Sequence, residues 1–371
     1  MIIGCPREIK TQEYRVGLTP SNVQSYVEAG HTVYIECQAG AGIGFSDEDY
    51  QKAGAIVSDK TTLFAKSDMI IKVKEPIKAE YDYFRENQIL YTYLHLAADK
   101  PLTDLLLNKK IQSIAYETIK TPAGLPCLAP MSQIAGRLAT LEAAKYSQKT
   151  FGGSGILLSG TAGTPKAKIV ILGAGVVGLN AAQIAMGIGA DVTILDINAQ
   201  RLAYIDQIFH MRIKTLISTR GNILSLLPTA DVVIGAVLIP GAKAPRLLRK
   251  EDLKLLKPGS VIVDVAIDQG GCFETSHPTT HNDPIYEIDG VIHYCVANMP
   301  GCVARTSTLG LTDSTLNYGL DLARFGVKEA CLNNPALLQG LNTYNGHCTF
   351  KGVSDAFGID YLPAEEALRA Q

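Results

Sequence analysis

The segment KIVILGAGVVGLNAAQIAMGIGADVTILDIN, residues 168–198, constrains the fold more than any other stretch of the chain. An apolar run leads into Gly173, Gly175 and Gly178 in the GxGxxG pattern. An Ala- and Ile-rich stretch follows, then a second apolar run ending in Asp196. GxGxxG alone is weak evidence, but strand, helix and acid stand here in the order a dinucleotide-binding βαβ unit requires. Gly173 permits the tight turn, Gly175 lets backbone N–H groups approach a pyrophosphate, and Gly178 lets helix and strand pack closely. The helix N-terminus supplies partial positive charge and unpaired donors. Asp196, 23 residues after Gly173, is positioned to accept hydrogen bonds from the adenine ribose. Its carboxylate repels a 2′-phosphate, so NAD is expected rather than NADP; Arg201, five residues on, partly offsets that repulsion.

The rest of the chain alternates in the same way. HTVYIE (31–36), DMIIKVK (68–74), ILYTYLHL (89–96) and QSIAYETI (112–119) are β-branched or aromatic runs. Thr19-Pro20 caps and opens a helix that stops at Gly30, and Ser46 caps SDEDYQKAG. A longer helix is predicted from Ser132 to about Ser147, with Ile134, Leu138 and Leu141 on one apolar face. The Gly-rich FGGSGILLSGTAGTPKAK reads as a loop. A second series starts at Lys168, with strands KIVILG, DVTILD, DVVIGAVL, SVIVDVAI and VIHYCVAN. After about residue 305 the sequence reads as helical. The expectation is an α/β protein with two doubly wound domains, the second series forming a Rossmann domain. The two series are an architectural echo, not a sequence repeat.

Composition excludes several classes. Lys plus Arg is 34 and Asp plus Glu 36, a formal charge of −2, which argues against a general nucleic-acid binder or a basic membrane-surface protein. No uninterrupted apolar run suits a transmembrane helix, and MIIGCPREIK lacks a secretory apolar core. Eight cysteines without a CxxC pair read as reduced thiols in a cytoplasmic protein.

Beyond the glycine loop, the chain resembles the alanine dehydrogenase and transhydrogenase alpha-subunit family over its whole length. The resemblance is carried by PREIKTQEYRVGLTP, KVKEP (72–76), YLHLAAD (93–99), LAPMSQIAGRLA (128–139), GAGVVG, LDIN, VIGAVLIPGAKAP (233–245), VDVAIDQGGCFETSHPTT (263–280) and YCVANMPG (294–301). YLHLAAD and the C-terminal helices without a membrane span favour alanine dehydrogenase over the transhydrogenase subunit. The resemblance implies a split substrate domain, residues 1–130 with 306–371, around a Rossmann NAD-binding domain at 131–305, with nicotinamide and substrate held in the cleft between them. It also implies NAD as cofactor, L-alanine, pyruvate and ammonium as substrates, and a homohexamer.

A dehydrogenase of amino acids must hold a carboxylate, place Cα against the nicotinamide and move protons. Arg15, in EYRVGLTP, suits bidentate carboxylate binding; by composition it reads equally as a surface arginine, and the resemblance places it on the substrate carboxylate. Lys74 reads as an ordinary strand-end lysine or, by resemblance, as the substrate partner. His95, at the end of ILYTYLH, reads as a packed histidine; the resemblance makes it the general acid/base. Asp268 ends a strand before Gly-Gly, where an Asx turn is the plain reading; the resemblance makes it the second catalytic residue, ahead of Asp264 inside the strand. By position alone the resemblance adds Ser132, Val177, Asp196, Arg201, Ser218, Val237, Leu238, Asn298 and Met299 as NAD contacts. Relatives often carry arginine at position 277, where this chain has His277. His277 and His281 have i, i+4 spacing but no third ligand nearby, and a magnesium site seen in some relatives would pair Glu117 with a position near Phe325. No metal site is expected. Two other functions stay open at this stage: a transhydrogenase subunit and a non-enzymatic NAD-responsive module.

Overall fold

The computed structural model describes residues 1–237 and 245–370. The chain divides into two compact units, Met1–Met131 with Val303–Gln371, and Ser132–Cys302.

The first unit opens with β1 (Ile2–Cys5), α1 (Pro20–Glu28), β2 (Thr32–Glu36), α2 (Asp47–Lys52), β3 (Ile56–Ser58), α3 (Lys60–Lys66), β4 (Met69–Ile71), β5 (Ile89–Thr92), α4 (Lys100–Asn108) and β6 (Gln112–Ala115). The predicted starts of α1 and α2 are present as capping boxes. Thr19 accepts from the Asn22 N–H while the Asn22 side chain returns to Thr19, and Ser46 and Asp49 do the same. Such caps typically contribute about 1 kcal/mol. Gly30 follows α1 with φ +85.

The second unit follows α5 (Ala129–Tyr146), which begins at the last residues of the first. It contains β7 (Lys168–Leu172), α6 (Val176–Gly187), β8 (Asp191–Asp196), α7 (Ala199–Ile208), β9 (Lys214–Ile217), α8 (Arg220–Leu226), β10 (Val232–Gly235), β11 (Val261–Asp264), β12 (Ile285–Ile288) and β13 (Val291–Tyr294). The sheet order is β12-β13-β11-β10-β7-β8-β9, parallel except for β12. Its central strands are buried on both faces, which explains their near-continuous Val and Ile runs.

On α5 the expected apolar face is rotated. Leu141 is 50% exposed; the buried stripe is Met131, Ala135, Leu138, Ala139, Ala143 and Tyr146. The reason is a close helix contact. A Cβ on Gly136 would lie 2.2 Å from the Val177 carbonyl oxygen. Thr140 donates to the Ala181 carbonyl at 2.9 Å and Arg137 to Asn180 at 3.0 Å. Small residues, not the largest apolar ones, therefore face α6.

The chain returns to the first unit through α9 (Ala304–Asn333, broken at Gly326), α10 (Pro335–Gly340), β14 (Leu341–Tyr344), β15 (His347–Cys348), α11 (Lys351–Phe357) and α12 (Ala364–Arg369). The C-terminal part is thus not purely helical, contrary to the sequence reading. β14 and β15 complete an eight-stranded sheet of order β15-β14-β6-β5-β4-β1-β2-β3. β14 pairs antiparallel with β6 and β15, and its Thr343 hydroxyl meets Ser113 at 2.7 Å. The two strands are joined by Asn345-Gly346, both at positive φ, the strongest short hairpin signal a sequence offers.

Candidate active site

In each sheet the strand order reverses once, and ligands of open α/β sheets bind beyond the strand C-termini at such a reversal. In the first unit the reversal lies between β1 and β4. The loop after β1 presses onto the end of β4: a Cβ on Gly17 would sit 2.9 Å from the Ile71 carbonyl oxygen. This loop carries Glu8, Glu13 and Arg15; the segment after β4 carries Lys72 and Lys74.

Arg15 is not a surface residue. It is 2% exposed and gripped at both ends of one edge by Glu13, Nε to Oε1 at 2.7 Å and Nη2 to Oε2 at 2.6 Å. Nη1 lies 3.2 Å from the Met131 thioether. Burial alone would push the Glu13 carboxyl up, but hydrogen bonding and charge from Arg15, with help from Lys74, hold it below its ordinary range. Lys74 lies past the end of β4, not within the strand. Its N–H and that of Val73 both donate to Glu8 Oε1, at 3.2 and 2.7 Å. Beneath it, fully buried Lys72 pairs with Glu8 at 3.2 Å and Glu80 at 2.8 Å. Lys72 is structural: it braces the turn that presents Lys74.

β5 ends at Thr92, so His95 is a loop residue, in the left-handed region at φ 48, ψ 36. Its side chain is 50% exposed, which excludes the packed-core reading. The ring stacks on Tyr93 at 6.1 Å and 12°, and the Tyr93 hydroxyl is tied to the Cys127 carbonyl at 2.7 Å. Glu117, just after β6, accepts from the N–H groups of Leu94 and His95, the latter at 2.7 Å, and its Oε1 stands 3.9 Å from His95 Nδ1. A left-handed non-glycine residue costs about 1–2 kcal/mol, and this clamp offsets it. Glu13, Glu117 and Tyr93 were not identified as supporting residues from the sequence. The available signals were an acid two residues before Arg15, an aromatic two before His95 and an acid just after a predicted strand.

In the second unit the reversal lies between β7 and β10. Gly173 turns there at φ +103, and a Cβ on it would meet the Ala236 carbonyl oxygen at 2.7 Å. A Cβ on Gly178 would lie 1.8 Å from the Gly173 carbonyl oxygen, whereas one on Gly175 would meet nothing within 4 Å. Gly175 is the N-cap of α6 and offers no side-chain cap to the first-turn N–H groups. A cradle closed around Gly178 and open at Gly175 fits a pyrophosphate on the helix N-terminus. Asp196 ends β8. Its Oδ2 accepts from the Ala174 N–H at 2.7 Å and its Oδ1 from Asn198 N–H at 2.8 Å. Arg201 Nε donates to the Ala174 carbonyl at 2.6 Å, so both residues also shape the loop.

The other expected contacts occupy the same sheet edge. Ser218 follows β9, its N–H on the Asp196 carbonyl at 2.9 Å. Val237 follows β10. Asn298 (φ 58) and buried Met299 follow β13, while Val177 and Ser132 lie on the packed helices α6 and α5. Leu238 lies outside the described residues. Asp268 stands exposed in a short turn after β11. Its competitor Asp264 is buried and has a different task, accepting from Ala266 N–H (3.1 Å), Cys272 N–H (2.8 Å) and Ser276 Oγ (2.5 Å). It knits the loop that presents Asp268.

His277 stacks on Tyr286 (3.7 Å, 22°), and Tyr286 on His293. His281 Nε2 instead meets the Asn298 carbonyl at 3.4 Å. The described residues contain no group of three or more His, Cys, Asp or Glu able to hold a metal.

Comparison with known proteins agrees with this geometry. The family models "Alanine dehydrogenase/PNT, N-terminal domain" and "Alanine dehydrogenase/PNT, C-terminal domain" match residues 4–135 and 139–351. The chain is 54% identical to an alanine dehydrogenase of Methanococcus maripaludis, over 99% of this chain and all of the relative. It is also 54% identical to alanine dehydrogenase 2 of Staphylococcus aureus over the full length of both. A solved L-alanine dehydrogenase superposes with TM-score 0.94 at 49% identity, covering 96% of this chain and 99% of the other. A transhydrogenase from Sinorhizobium meliloti gives 0.80 at 25%, covering 94% and 99%. Family models that match both parts of the chain, with 54% identity over its full length, lead to one statement: the chain belongs to the alanine dehydrogenase/PNT family.

Proposed function

We propose that this protein is an NAD-dependent alanine dehydrogenase. It converts L-alanine, NAD and water to pyruvate, ammonium and NADH with release of one proton, and runs the reverse amination. The observation that carries this is the presence of an open glycine cradle ending in Asp196 in one unit, and of buried Arg15, partly buried Lys74 and half-exposed His95 in the other. Full-length identity of 54% to alanine dehydrogenases supports it. The second unit is the NAD-binding domain and the first the substrate domain.

NAD would be held by Gly173, Gly175, Gly178 and the first turn of α6, with Asp196 at the adenine ribose. Ser132, Val177, Arg201, Ser218, Val237, Leu238, Asn298 and Met299 complete its seat. Bound there, NAD would supply the hydride-accepting chemistry that oxidation at the substrate Cα requires. Arg15 and Lys74 hold the substrate carboxylate and fix Cα. His95 takes a proton from the water that adds to the substrate imine, and in the reverse direction protonates the departing hydroxyl. Asp268 shares these proton transfers. Glu117 keeps one edge of the His95 ring occupied, and Tyr93 one face.

The protein is further inferred to be a cytoplasmic homohexamer. Family resemblance supports the assembly, and the absence of disulfides among its eight cysteines supports a reducing compartment. No helix of the described residues is long and apolar enough to cross a membrane. The test is direct: mix protein, L-alanine and NAD and follow NADH absorbance. A nucleotide-binding subunit or a binding module gives no alanine-dependent NADH; light scattering on the eluting peak checks the assembly.

A further inference from the structure

The pair placed on the substrate carboxylate carries two cations, yet a buried anion is set against one of them. Glu13 is 6% exposed, grips Arg15 along one edge, and feels Lys74 as well. Glu8 also feels Glu13, and it belongs to a triad with Lys72 and Glu80. That triad closes on itself: one lysine faces two carboxyls, and burial pushes Glu8 toward its protonated form. At the seat, Glu13 therefore sets one negative charge directly against the Arg15 guanidinium. A buried site is stable when its charge is cancelled, and an excess anion in low dielectric is penalised.

We propose that Glu13 is the residue that sets the charge class of the substrate: by cancelling one of two cations, it makes the site select 2-oxo and 2-amino monocarboxylates and reject dianions of the same size. This rests on the reading that Arg15 and Lys74 hold the substrate carboxylate. Glu13 does not touch the reacting atoms. It holds the guanidinium edge-on and removes one unit of attraction.

Oxamate and oxalate test it, because they match pyruvate in size but carry one and two negative charges. Both are measured as inhibitors against pyruvate with saturating NADH. The wild-type enzyme binds oxamate more tightly; equal or tighter oxalate binding overturns the proposal without any variant. In Glu13→Gln, which retains a hydrogen-bonding side chain of the same length, the ratio of the two inhibition constants moves toward oxalate by roughly tenfold to a hundredfold. In Glu13→Asp, which keeps the charge, both constants can rise but the ratio stays that of the wild type. A purely structural role moves both constants together in Glu13→Gln and leaves the ratio unchanged, and that result overturns the proposal. Arg15→Gln separates the two levels of the argument. If it leaves both inhibitors unaffected, the carboxylate assignment itself falls; if it weakens both while Glu13→Gln leaves the ratio fixed, only the role of Glu13 falls.

Discussion

Two alanine substitutions in the glycine loop should have separable effects. In Gly178→Ala the new methyl would begin 1.8 Å from the Gly173 carbonyl oxygen and 2.9 Å from its carbon, both backbone atoms. Contacts under 3.0 Å force a shift, so α6 must move more than an ångström from the turn. Overpacking of this kind costs about 1–3 kcal/mol, and the melting temperature of a unit this size falls about 2–4 °C per kcal/mol. The displaced N–H groups also lose charge-assisted hydrogen bonds of about 1.5–3 kcal/mol each, so the Kd for NADH rises roughly tenfold to several hundredfold. Gly175→Ala differs. Its φ of −68 and ψ of −164 suit alanine, and its Cβ meets no protein atom within 4 Å. Stability should therefore stay within about 0.5 kcal/mol, while the methyl occupies space meant for the pyrophosphate and weakens NADH roughly a hundredfold, the scale of two lost hydrogen bonds. Fluorescence titration with NADH beside thermal denaturation reads both. Native NADH affinity in Gly175→Ala would show that the open space is not the phosphate seat. An unchanged melting temperature in Gly178→Ala would refute the helix–turn interlock.

Replacing His95 by Asn should lower turnover about 10²–10⁴-fold in both directions with NADH affinity retained; a native pH–rate profile of kcat/KM for pyruvate would assign the proton to another group. Asp196→Ala should lower kcat/KM with NAD by roughly tenfold or more, through loss of charge-assisted hydrogen bonds, and raise the NADP/NAD ratio. A preserved ratio would remove Asp196 from the ribose. His293 is buried, with Nε2 at 2.8 Å from the Thr275 hydroxyl and Nδ1 at 3.0 Å from the Val291 carbonyl, and burial pushes its pKa below the ordinary 6.5. The folded state therefore prefers the neutral ring. The stability this gives is complete above pH 6.5 and is lost as pH falls below it, because the unfolded chain takes up the proton first. Thermal melts between pH 8 and 5 should show this slope flattened in His293→Gln; an unchanged slope would point to other groups.

The glycine loop, the capped starts of α1 and α2 and the alternation of the second unit were legible in the sequence, because each depends on residues within one turn or one βαβ unit. Asn345-Gly346 was equally local, and it marks the hairpin by which the C-terminal part joins the first sheet; a reading of that part as helical passed over it. Other features were settled only by tertiary structure. Leu141 fits the helical period as well as Leu138 does, yet it faces outward, because Gly136 and Thr140 bring α6 against the neighbouring face. Asp264 and Asp268 share one residue type and one strand end. Only the fold shows the first turned inward to hold a loop and the second exposed. Glu13 is a sequence neighbour of Arg15, but Lys74 is far from both, and nothing local brings its charge within reach of Glu13. Charge and burial are properties of the packed whole: the sequence determines which groups are present, and the sheet edge that collects them decides which are paired, which are exposed and what total charge a ligand meets.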